Sequence, residues 1–161
     1  MHLSSLKERI NLRSTIFDDQ LLYFEWANDP AVRNFAIRIG SIPIKGHIEW
    51  FIKKMESKNT FMYVLEYQNQ PVGQIRFDLV NGNYEIDYSI AKYLRGQGLG
   101  RKIVEMGINS FNKISPNSKY RALVSSENFA SIKIFKDLGF VQQEMLVMSN
   151  REFLVFKFNS K

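Results

Sequence analysis

"YLRGQGLGRKIVEM", Tyr93–Met106, sets three glycines, Gly96, Gly98 and Gly100, at alternate positions between Arg95 and Arg101, then runs into an apolar-periodic segment. Just upstream, "NYEIDYSIA" (83–91) alternates as a strand does, and a helix is expected over about 98–114 with Val104, Gly107, Ile108 and Phe111 on one face. The glycines therefore join the end of a strand to the start of a helix. Without β-carbons, several consecutive N–H groups can point at one place, reinforced by the helix dipole, and such a nest binds phosphate or pyrophosphate. A flexible turn is the plainer alternative; the two flanking arginines argue against it. Two other phosphate loops fail to match. A G-x-G-x-x-G dinucleotide loop would need glycine where Arg101 stands, and G-x-x-x-x-G-K-[ST] counted from Gly96 also lands on Arg101.

Working outward, "TFMYVLEY" (60–67), "PVGQIRFDLV" (71–80) and the 83–91 segment read as successive strands, with turns at Gln68-Asn69-Gln70 and Asn81-Gly82. Before them come a strand at 9–16, a helix at 18–29 with Asp18 as N-cap and Pro30 as stop, and a short helical turn from Pro30. A helix over 44–57 comes next, with Ile48, Phe51, Ile52 and Met55 at i, i+3, i+4, i+7. After the glycine loop come a strand at 120–126, a helix at 127–139 closed by Gly139, and a hairpin turning at Ser149-Asn150. Residues 1–161 are expected to form a single α+β domain, with one mixed, mostly antiparallel seven-stranded sheet and helices on both faces.

Composition narrows the chemistry. The 161 residues include no cysteine and only two histidines, His2 and His47, so disulfides, thiol nucleophiles and a zinc site are not expected. No segment approaches the roughly 20 apolar residues of a membrane span, and the N-terminus lacks an apolar signal core, so a cytoplasmic protein without membrane attachment is expected. The net charge is +6, but the basic residues are scattered, which favours a small polyanionic ligand over nucleic acid.

Arg95-Gly96-Gln97-Gly98-Leu99-Gly100 resembles the R/Q-x-x-G-x-G/A signature of the GCN5-related N-acetyltransferases (GNATs), which in that family comes after strand four and opens a helix. "ENFASIKIFKDLGF" (127–140) is similar to the family's later segment, an Asn followed by an apolar helix ending in Gly-Phe, and the element order matches over essentially the whole chain. The resemblance implies the acyl-CoA N-acyltransferase fold and acetyl-coenzyme A as cofactor. It implies a pyrophosphate held by Arg95, Gly96, Gln97, Gly98, Leu99, Gly100 and Arg101, a pantetheine arm beside Ser89 and Ile90, and contacts from Asn128 and Phe135. One departure stands out. Many members carry a tyrosine seven residues after the Asn, as the acid that protonates the leaving thiolate; here that position is Phe135, and the general acid is unassigned.

Acetyl transfer to an amine needs a neutral amine, so a base is useful. On strand 83–91, Tyr84, Ile86, Tyr88 and Ile90 share one face, while Glu85, Asp87 and Ser89 share the other. Carboxylates on a central, covered strand cost burial energy unless paired or functional, which makes Glu85 and Asp87 the base candidates, acting directly or through water. Pairing with an arginine is the structural alternative for each, and a backbone N–H near Ile90 is the candidate oxyanion donor.

For the acceptor, the Trp26–Arg33 run (Trp-x-Asn-Asp-Pro-x-x-Arg) and the His47–Phe51 run (His-x-x-Trp-Phe) resemble the GNAT subgroup that acetylates nucleotide-linked amino-sugars of pseudaminic-acid-type biosynthesis. The resemblance implies Trp26, Asn28, Arg33, His47 and Trp50 as acceptor-binding residues. Aromatic faces would serve a uracil or sugar ring, Arg33 or Arg38 a diphosphate, and His47 a hydroxyl. Trp26, Trp50 and Phe51 could equally be core residues of two packed helices, and His47 a structural one. The expected partner is a small-molecule amine; a homodimer stays open. A ribosomal-protein or N-terminal peptide acetyltransferase is the nearest enzyme alternative, and a non-catalytic acyl-coenzyme A-binding module is the alternative of another class.

Overall fold

In the computed structural model, which describes residues 9–159, seven strands form one sheet in the order β1-β2-β3-β4-β5-β7-β6. They are β1 (Ile10–Ser14), β2 (Thr60–Tyr67), β3 (Gln70–Val80), β4 (Asn83–Ile90), β5 (Lys119–Ser125), β6 (Val141–Met148) and β7 (Arg151–Asn159). The helices are α1 (Gln20–Asn28), α2 (Pro30–Phe35), α3 (Ile44–Glu56), α4 (Leu99–Ile114) and α5 (Phe129–Asp137). Every neighbouring pair of strands is antiparallel except β4–β5, which α4 connects as a crossover. The expected mixed, mostly antiparallel sheet with helices on both faces is observed. His2 lies outside the described residues.

Period-two alternation sorts the sheet into two cores. Tyr63, Leu65, Ile75, Phe77, Ile86, Ile90, Tyr120 and Ala122 point to one face, where α4 buries Ile103, Val104, Ile108 and Phe111, and α5 buries Phe135. At Gly107 helix and sheet approach closely: an added Cβ would lie 2.8 Å from Ile75 Cδ1. On the other face Met62, Val64 and Ala91 meet Tyr23 and Trp26 of α1 and Phe51 of α3. The hairpin turns have the geometry their residues predict, with positive φ at Gln68 and Asn69, at Asn81 and Gly82, and at Ser149 and Asn150.

Several local expectations need correction. The first strand ends at Ser14, and Asp19 rather than Asp18 anchors the entry to the first helix. A 3-10 turn over Phe17–Asp19 precedes α1, and Asp19 accepts the Ile16 N–H and both ends of the Arg13 fork. Burial alone would raise the Asp19 carboxyl, but Arg13 and the Ile16 N–H more than offset that and hold it below the usual carboxylate range. In α3 the buried stripe runs through His47 and Phe51, with Trp50 and Met55 half-buried, while Ile52 faces out. α5 is shorter than expected, because Asn128 caps it by accepting the Ser131 N–H.

Candidate functional site

The site forms where β4 and β5 part. They hold register only at Tyr84↔Tyr120, Glu85↔Arg121 and Ile86↔Ala122, and beyond Ile86 the strands splay. The Ala91 N–H donates to Val72 O of β3 at 2.7 Å. Backbone groups alternate sides along an antiparallel strand, so those of Tyr88 and Ile90 face the gap left by β5. An extended chain entering this gap would meet the backbone groups of Tyr88 and the Ile90 N–H, while Ile90 O is taken by Arg95 Nε.

The glycine loop sits at the wide end of the gap. Gly96 and Gly98 have φ of +74° and +82°, left-handed values that a side chain would strain, and neither would crowd a neighbour with a Cβ. The bare backbone thus serves conformation and approach from outside, not packing. Gly98 caps α4, a helix of 16 residues, and the first bond of its ladder runs from Lys102 N–H to Gly98 O. The N–H groups of Leu99, Gly100 and Arg101 lie ahead of that bond and stay available to an anion. Loop plus partly unpaired strand edge fits a ligand with a pyrophosphate head and an amide-bearing arm. This is the chemistry of coenzyme A, which Leu99–Arg101, the Tyr88 backbone and the Ile90 N–H would hold.

Arg95 does not add its charge to this nest as expected. Its Nε donates to Ile90 O at 2.9 Å and its Nη2 to Asp29 Oδ2 at 3.0 Å, so it joins the loop to β4 and to the α1–α2 corner. Ser89 and Ile90 are buried at the end of β4. Asn128 is occupied as the α5 cap, and Phe135 is a core side chain packed against Tyr88, Phe140 and Phe156. The Tyr88 hydroxyl, on the same face, bonds Ser131 Oγ; burial raises its pKa and the serine bond opposes that.

The two carboxylates separate by position. Glu85 lies within the paired segment, 3.6 Å from Arg121 across the strand. Asp87 comes after the last β4–β5 pair, at the fork itself. Contrary to expectation, its strand is not covered on both sides there: the Asp87 side chain is 55% exposed. Gln74 Nε2 donates to Asp87 Oδ2 at 2.9 Å, and Arg76 Nη1 lies 3.5 Å from the same oxygen. Arg76 is also bonded to Asp78 at 2.7 Å and stacks over Trp50, 5.0 Å from the ring centroid. Burial works against the Arg76 charge, but Asp87 and Asp78 outweigh it and raise its pKa. Gln74 and Arg76 are not among the residues that the sequence singles out; their shared face with Asp87 in the antiparallel register is the signal that could have found them.

The acceptor-side candidates divide. Trp26 is buried against Tyr23, and His47, 2% exposed, bonds Gln20 O through Nε2 among Phe24, Trp50 and Phe51. Asn28 fastens the backbone of Ile42 from both sides, donating to its O and accepting its N–H. These three side chains serve the helical layer and its loop. Phe51 is fully buried. Trp50 is half-buried beside Arg76, and Arg33 of α2 is half-buried as well. Arg33 donates to Gly40 O at 2.9 Å and to Arg38 O. Burial lowers its pKa, and the Asp87 charge acts on it through space in opposition; no carboxylate contacts it among the described residues. Nor do the described residues include a His, Cys, Asp and Glu group able to hold a metal, or a helix long and apolar enough to cross a membrane.

A family model described as acetyltransferase (GNAT) domain matches residues 9–141. No curated protein matches the chain in sequence. Among solved structures, a spermidine N-acetyltransferase from Vibrio cholerae in complex with CoA and spermine superposes with a TM-score of 0.83 at 16% identity, covering 95% of this chain and 96% of that one. A domain from Methanocaldococcus jannaschii DSM 2661 gives 0.79 at 24% identity, covering 94% and 98%. The aminoglycoside acetyltransferase AAC(6')-Ib in complex with coenzyme A gives 0.78 at 17% identity, covering 93% and 94%. At these identities the likeness is one of fold.

Proposed function

The chain belongs to the GNAT acetyltransferase family, and we propose that the amine it acetylates is carried on a nucleotide-linked amino-sugar. It is an acetyl-coenzyme A-dependent N-acetyltransferase. Acetyl-coenzyme A would supply the activated acetyl group: its C–S bond breaks as the C–N bond to the amine forms, and the departing thiolate takes the proton that the nitrogen sheds after attack. The chain's own groups do the rest. The N–H groups of Leu99–Arg101 hold the pyrophosphate, and the partly unpaired edge of β4 aligns the arm. Asp87, at the fork, takes the proton from the acceptor's ammonium, directly or through a water, while Gln74 and Arg76 fix its carboxylate. Glu85 is the lesser candidate, since Arg121 holds it inside the paired segment. The Ile90 N–H faces the gap and is the donor for the carbonyl oxygen as negative charge develops on it.

The observation that carries the acceptor assignment is Arg33. It is partly desolvated, lacks a contacting carboxylate, and lies within electrostatic reach of Asp87. Its Nε and Nη2 hold Gly40 O and Arg38 O, which leaves Nη1 to give a diphosphate oxygen a charge-assisted bond. Trp50 adds ring surface beside Arg76. A polyamine would meet the Arg33 guanidinium, which no carboxylate contacts among the described residues and which would repel it.

The test is a steady-state comparison with a UDP-4-amino-sugar. Arg33→Ala should raise its KM about tenfold or more and lower kcat far less, the pattern of a lost uniform-binding contact. An unchanged KM, with transfer intact, would remove the diphosphate from Arg33 and the assignment with it.

A further inference from the structure

Asp29 stands where two helices meet, and each of its polar groups is engaged. Its N–H donates to Trp26 O at the end of α1, its C=O accepts the Arg33 N–H, and its Oδ1 accepts the Ala31 N–H at 2.9 Å to cap α2. The remaining oxygen, Oδ2, takes Arg95 at 3.0 Å, and the same guanidinium holds Ile90 O at the end of β4. The pair is sheltered, with side-chain exposures of 31% for Arg95 and 15% for Asp29, so water screens it less than an open surface pair. Burial alone would raise the Asp29 carboxyl, yet Arg95 and the Ala31 N–H hold it below the usual range.

Beyond Asp29 the connections continue. Arg33 ties down Gly40 and Arg38, and Asn28 fastens Ile42, so residues 28–42 form one laced unit. Arg151 of β7 holds that unit at Asn34 and Ala36. On the coenzyme side its link is Arg95, the residue that opens the glycine loop.

We propose that the Asp29–Arg95 pair is a brace that couples coenzyme binding in the 95–101 loop to ordering of the acceptor-side segment 29–42. Arg95 is then a positioning residue. Ordering the loop around a pyrophosphate fixes Arg95, which fixes Asp29, the α2 cap and Arg33. Coupling of this kind is reciprocal, so an acceptor bound beside Arg33 would tighten coenzyme binding by the same factor. Only this last consequence rests on the acceptor reading above.

Hydrogen exchange with mass spectrometry on the full chain, with and without coenzyme A, tests the brace without any acceptor. Asp29→Asn is isosteric: its Oδ1 still accepts the Ala31 N–H, but its amide cannot accept from Arg95. In the wild type, coenzyme A should slow exchange in peptides covering 96–104 and, by about fivefold or more, in peptides covering 30–40. In Asp29→Asn the first protection should stay and the second disappear. Arg95→Lys, which keeps the charge but not the two-pronged reach, should do the same, and it carries the test if Asp29→Asn does not fold. Equal protection of 30–40 in wild type and variants would overturn the brace. So would no protection there in the wild type, or faster exchange, which would mean that the phosphates draw Arg95 away from Asp29. A wrong acceptor would show in turnover assays and leave these exchange results unchanged.

Discussion

Asp87 and Glu85 sit two residues apart on one face of one strand, and their surroundings differ. Arg121 lies across the strand from Glu85, whereas Asp87 opens at the fork with Gln74 and Arg76 on one of its oxygens. Asp87→Asn should therefore lower kcat about 10²–10⁴-fold with coenzyme affinity nearly unchanged, and Glu85→Gln should cost far less. Titration calorimetry with coenzyme A beside a thiol-release assay reads both; the reverse order of effects would move the base to Glu85. His47 makes a different residue-scale prediction. Burial lowers its pKa below 6.5, and the bond with Gln20 O only partly opposes this. A histidine depressed in the folded state binds its proton more readily when unfolded. Its contribution is therefore whole above about pH 6.5 and is lost as the pH falls below that towards the folded value. Urea unfolding at pH 7.5 and 5.5 should show a larger loss for the wild type than for His47→Gln. Parallel losses would mean that His47 is not the titrating group.

At the scale of elements, the glycine loop takes left-handed backbone at Gly96 and Gly98, with open space around both. Because Gly98 holds φ at +82° and has open space where a Cβ would go, Gly98→Val acts through backbone strain rather than collision. The cap of α4 and the direction of its free N–H groups would change together. Calorimetry should show coenzyme binding weakened by about 2 kcal/mol or more, the scale of a lost set of charge-assisted hydrogen bonds. Unchanged affinity in a folded variant would place the pyrophosphate elsewhere. Strands, turns and the α4 face are legible in the sequence because each rests on a local rule: alternation, paired positive-φ residues, a 3.6-residue stripe. The α3 stripe is not, because His47 counts as polar while its ring packs with Phe24, Trp50 and Phe51. Arg95 misleads for a related reason. Its place beside the glycines suggests a phosphate partner, but Asp29, 66 residues away in sequence, reaches it first. Trp26 and Asn28 belong to the same class, polar or aromatic residues whose partners only the fold supplies.

For the molecule as a whole, the sheet's one parallel junction places the candidate site. Six antiparallel neighbours would close every edge between strands; the β4–β5 crossover through α4 leaves a gap, and it opens beside the helix N-terminus that can hold an anion. One face of the sheet carries the larger core, under α4 and α5, and the other a smaller core under α1 and α3, with Arg76 and Trp50 beside it and Asp87 open at the fork. The net charge of +6 is consistent with an anionic coenzyme as ligand. The most direct measurement is thiol release from acetyl-coenzyme A by the wild-type enzyme, with a UDP-4-amino-sugar, spermidine and a short N-terminal peptide offered separately. kcat/KM for the UDP-amino-sugar should exceed both others; faster turnover of spermidine or of the peptide would contradict the nucleotide-borne acceptor.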